Sequence, residues 1–142
     1  MKKLILLGLV GFLAGGVLAH VRSVQATDAF KKEFEQKYVK KEPGTDAEKA
    51  LTAAYQKAKC NTCHVGTTKK VRNDYGKALN QFITKKDVKD KEKIQHALDE
   101  VAKLKSKPDD ASAPTFGELI EQGKLPGGEP TTATATATGG GN

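Results

Sequence analysis

The only two cysteines of the chain stand three positions apart, and a histidine follows the second, in the run Cys60-Asn61-Thr62-Cys63-His64. Two thiols and an imidazole at this spacing constrain the rest of the fold, because all three have to face the same partner. A disulfide-exchange C-x-x-C follows a strand in a βαβ pattern, and no alternation of strands and helices precedes Cys60. A structural zinc site needs four ligands, and beyond the motif only His96 and His20 remain to supply them.

The C-x-x-C-H spacing is that of covalent haem attachment. Two thiols three residues apart can add to the two vinyl groups on one porphyrin edge, and the next residue then offers an imidazole nitrogen to the iron. On this reading Cys60 and Cys63 hold one covalent haem, and His64 is the proximal iron ligand.

The N-terminus begins Met1-Lys2-Lys3 and runs apolar from Leu4 to Ala19, the pattern of a secretory signal. Small residues allow cleavage after Ala26, which is favoured, or after Ala19. Residues 1–26 are therefore expected as a signal peptide. The rival is an uncleaved anchor, although sixteen apolar residues reach only about 24 Å against a hydrocarbon core of roughly 30 Å. With both cysteines in the motif, no pair is left for a structural disulfide.

Loss of residues 1–26 removes Lys2, Lys3 and Arg22 from 24 basic residues against 17 acidic ones, and lowers the formal charge from +7 to +4. Two haem propionates would lower it to about +2, too little to argue for nucleic acid. The tail 126–142 is Pro, Gly, Thr and Ala with one Glu, a composition expected to be disordered. One small domain is left, whose apolar core is thin without a cofactor to fill it.

Apolar spacing predicts a helix over 28–41 carrying Phe30, Phe34 and Tyr38, an aromatic stripe expected to pack in the core. Pro43-Gly44 breaks it. Thr45 with Glu48 then forms a capping-box signature for a helix whose apolar face runs from Ala47 to Ala58, directly into Cys60. Residues 65–72 read as a loop bearing Lys69, Lys70 and Arg72. Asn73 or Asp74 can cap a helix with Tyr75, Ala78, Leu79, Phe82 and Ile83 on one face. A further helix from Asp87 or Asp90 carries Ile94, Ala97, Leu98, Val101 and Leu104, until Pro108 ends it. A shorter segment over 115–122 offers Phe116, Leu119 and Ile120. Strand-like alternation is nearly absent, so the fold class expected is all-α.

With these elements in place, the chain resembles a monohaem c-type cytochrome of class I layout. The resemblance covers roughly residues 45–125, preceded by a helical extension over 27–44, and only Cys60, Cys63 and His64 are specific to it. It implies a small helical domain wrapped around one haem c, one-electron transfer, and attachment on the outer side of the bacterial cytoplasmic membrane. The location would be periplasmic or otherwise extracytoplasmic, with membrane association only if the N-terminal segment is kept.

Many members of that family use a downstream methionine as second axial ligand. Here Met1 is the only methionine. A second imidazole or an open position gives a lower potential than a thioether. His96 is the candidate distal ligand, although a helical wheel turns it toward Glu100 and Lys103, away from Ile94, Ala97 and Leu98. His20, Lys69 and Lys70 are weaker candidates.

The function expected is that of a one-electron carrier in an exported respiratory or redox chain. Redox proteins would be its partners, with Lys69, Lys70 and Arg72 placed to steer an acidic one. Two alternatives stay open: a gas- or peroxide-binding protein with an open sixth position, and a haem subunit of a larger redox complex. No hydrolytic constellation stands out, so an enzyme is not expected, save for peroxidase-like activity at an open iron.

Overall fold

A computed structural model describes residues 26–67 and 69–130, which are mostly helical. The signal or anchor expected over 1–26 and the tail expected over 126–142 fall largely outside them. Five α-helices run in chain order: α1 Ala26–Tyr38, α2 Asp46–Ala58, α3 Asp74–Leu79, α4 Lys91–Ala102 and α5 Phe116–Glu121. Among the described residues no helix is long and apolar enough to cross a membrane.

Side-chain caps set the helix starts, by satisfying backbone N–H groups that have no partner within the helix. Thr45 and Glu48 form the capping box of α2, and Thr115 and Glu118 that of α5. Asn73 caps α3 and Asp90 caps α4.

Helix α4 is the centre of the domain, because Ile94, Ala97, Leu98 and Val101 recur on one face and all four are buried. Helices α1, α3 and α5 pack against it. The α1 contact places Phe34 in the core, and Tyr38 donates to the Leu98 carbonyl at 3.1 Å. The segment read as an N-terminal extension is thus built into the same core.

Several boundaries differ from the sequence expectation: α1 ends at Tyr38 rather than running to 41, and α3 ends at Leu79, so Phe82 and Ile83, expected on its face, lie beyond it. Helix α4 stops at Ala102, six residues before Pro108, and Leu104 lies beyond it at 36% exposure. Its carbonyl instead accepts from Phe116 N at 3.0 Å, beside a Lys105–Thr115 bridge. Leu125 and Pro126 are buried, so packing continues to the edge of the segment read as a tail. The loop expected over 65–72 closes as a two-stranded antiparallel pair, β1 His64–Val65 and β2 Val71–Arg72, with His64 opposite Arg72.

Candidate functional site

Leu51, Tyr55 and Ala58 dock α2 into the core and carry its end to the motif. The chain leaves the helix through Lys59 at φ +48° and ψ −107°, a conformation L-residues rarely adopt. A 3₁₀ turn over Lys59–Thr62 follows, and Cys63 N donates to Cys60 O at 3.2 Å. Immediately afterwards β1 holds His64. Its Nδ1 lies 3.3 Å from the Val71 carbonyl, and donation there leaves the Nε2 lone pair free, the arrangement by which a backbone carbonyl orients a metal-binding imidazole.

Burial holds the His64 pKa below its ordinary value; Arg72 and Lys69 add to this and the Val71 carbonyl opposes it. This favours the neutral ring, the form that can ligate. Burial also pushes the Cys63 thiol up to about 12, with Cys60 adding to the shift.

Cys60, Cys63 and His64 all line one cleft of about 620 Å³. Phe30 and Phe34 of α1, Leu79 at the end of α3 and Ile83 in the segment after it give it apolar walls. Tyr55 stacks on Phe34 at 5.7 Å and donates from its hydroxyl to Glu35 at 3.1 Å. Thr62 also lines the cleft; it is 2% exposed and its hydroxyl has no hydrogen-bond partner among the described residues. Six cations, Lys31, Lys59, Lys69, Lys70, Arg72 and Lys85, also line it, and among the described residues no acidic one does.

His96 is not brought to this cleft. The core takes Ile94, Ala97, Leu98 and Val101, which leaves His96 on the opposite side of α4 with its side chain 75% exposed, 3.8 Å from Glu100. Among the described residues no three His, Cys, Asp or Glu side chains converge as a metal cage.

The sequence missed two contributors. Phe30 and Phe34 were expected only as core, yet they form a wall of the cleft, because α1 folds back over the motif turn. Asn73 was legible as a helix cap, but its contacts with the turn join residues eleven and twelve positions apart, which no local pattern reveals. No protein-family model matches the chain significantly, and neither does any curated protein or any solved structure.

Proposed function

We propose that this chain binds one haem c through Cys60 and Cys63, with His64 as proximal ligand, and serves as a one-electron carrier in an exported redox chain. The observation that supports it most is the convergence of both thiols and an oriented imidazole on a single cleft with apolar walls. The cleft's volume falls within the range of about 300–1,000 Å³ common to cofactor pockets. Its cations suit a group that carries two carboxylates.

Each thiol would add its S–H across one vinyl group, sulfur to one carbon and hydrogen to the other, with no oxidant consumed. When bound, the haem supplies an iron that alternates between two oxidation states. The Val71 carbonyl holds the imidazole of His64 in orientation, as it does in this structure. Phe30, Phe34, Leu79 and Ile83 would set apolar surface against the haem, an environment that influences the potential. Lys69, Lys70 and Arg72 present positive charge to an acidic partner.

One observation favours a second reading. Among the described residues His64 is the only histidine lining the cleft, and no methionine occurs. A sixth position left open to a small gas or peroxide would make the protein a ligand binder.

Absorption spectra and the intact mass of exported protein test the first reading. A covalent haem mass with a reversible one-electron spectral change is expected; colourless chain of unmodified mass would end it. Carbon monoxide separates the two readings, since rapid uptake by reduced protein at neutral pH favours the ligand binder.

A further inference from the structure

The carbonyls of a C-x-x-C-H turn follow a helix that has already ended, so they need partners from elsewhere. Asn73 supplies three in succession. Its Nδ2 donates to Asn61 O at 3.1 Å and to Thr62 O at 3.1 Å, and its backbone N donates to Cys63 O at 3.2 Å. At the same time its Oδ1 accepts from Gly76 N at 2.9 Å, which caps α3.

Two glycines enclose this arrangement. A Cβ on Gly76 would collide with the Cys63 carbonyl, which sets how closely α3 approaches the turn. A Cβ on Gly127 would collide with Asn73 Nδ2 and come within 2.6 Å of Thr62 O. The segment after Leu125 therefore presses the Asn73 amide against the turn from outside.

Capping alone does not require asparagine here, since Asp and Ser offer an acceptor to the helix start equally well. Only an amide gives that acceptor together with two donors from a single side chain. We infer that Asn73 is a positioning residue for the motif: it ties the Cys60–Cys63 turn to the start of α3, so that the two thiols and His64 keep one arrangement toward the cleft. The inference rests on the haem reading proposed above.

The test uses the full chain loaded with haem. Asn73→Asp keeps an acceptor for Gly76 N and removes both donors to Asn61 and Thr62, and Asn73→Ser keeps the acceptor with a single hydroxyl donor in place of two. Gly127→Ala displaces the Asn73 amide without altering Asn73, and Thr115→Ala removes a helix cap remote from the motif as a control for lost stability. Electron paramagnetic resonance and the midpoint potential report on the His64–iron bond. The alkaline pyridine spectrum, taken on unfolded chain, counts thioether links, because a remaining vinyl group moves the band to longer wavelength.

Both Asn73 variants and Gly127→Ala are expected to shift the resonance and the potential, whereas Thr115→Ala leaves them at wild-type values. If the Asn73 variants lose their fold, a population joined through one thioether supports the assignment, and fully doubly joined chain overturns it. Wild-type signatures in the Asn73 variants and Gly127→Ala, or an equal shift in Thr115→Ala, also overturn it. Absence of covalent pigment from the wild-type chain removes the haem reading and this inference together, whereas pigmented wild type with unaltered variants removes this inference alone.

Discussion

Gln95 on α4 donates its side-chain amide to the Glu33 carboxylate on α1 at 2.8 Å, across 62 positions of sequence. Glu33 is only 5% exposed and Gln95 half-buried, and the same amide also donates to the Glu33 carbonyl at 3.3 Å, so this contact ties the first helix to the central one. Removing one partner of a buried hydrogen bond leaves the other unsatisfied. Glu33→Ala is expected to destabilise the domain by about 1–3 kcal/mol in urea unfolding, while Glu33→Gln, which keeps an acceptor oxygen, loses less. Equal losses in the two variants would show that the hydrogen bond is not what holds α1.

Asp87 sets an acid limit on the connection into α4. A hydrogen bond from Lys93 at 2.6 Å, followed by one from Thr84 N at 2.7 Å, lowers its pKa to about 2. A depressed folded-state pKa stabilises above the unfolded value near 3.8, and that contribution is lost as pH falls from about 4 to about 2. Unfolding free energy measured across this window should fall with a shallower slope in Asp87→Asn than in wild type. An unchanged slope would remove Asp87 from the acid response.

Lys59 carries a side chain where φ is +48°, immediately before the first cysteine. Conformations of this kind cost a residue with a Cβ about 1–2 kcal/mol, which glycine avoids. Lys59→Gly is expected to raise the free energy of unfolding by about 1 kcal/mol, less whatever the more flexible unfolded chain takes back. A loss of stability would mean that contacts of the lysine side chain outweigh the backbone strain.

His96→Ala is expected to leave the absorption spectrum of haem-loaded protein and its midpoint potential unchanged, because the side chain is 75% exposed and outside the cleft lining. A spectral change would show that α4 turns or that a second molecule donates this imidazole.

Local chemistry was legible in the sequence and long-range closure was not. The Thr45–Glu48 capping box, the α4 stripe from Ile94 to Val101 and the Asn73 cap all follow from spacings of three or four residues, which one turn of helix imposes. The wheel likewise turned His96 away from the apolar side. What escaped depends on residues far apart in the chain: Phe30 and Phe34 against the motif, Gly127 beneath Asn73, and His64 opposite Arg72. The end of α4 was missed for a different reason. Leu104 continues the apolar period, but its carbonyl is taken by Phe116, so backbone pairing overrides the pattern.

The antiparallel pairing of His64 with Arg72 means that the chain leaves the motif and returns beside it. The pairing fixes both ends of the polypeptide between Val65 and Val71, and lengthening a loop between fixed ends costs only fractions of a kcal/mol per added residue. Because Lys69 and Lys70 line the cleft from this segment, a foreign peptide or an optical reporter is best grafted ahead of them, at Gly66–Thr67, where it would sit beside the cleft.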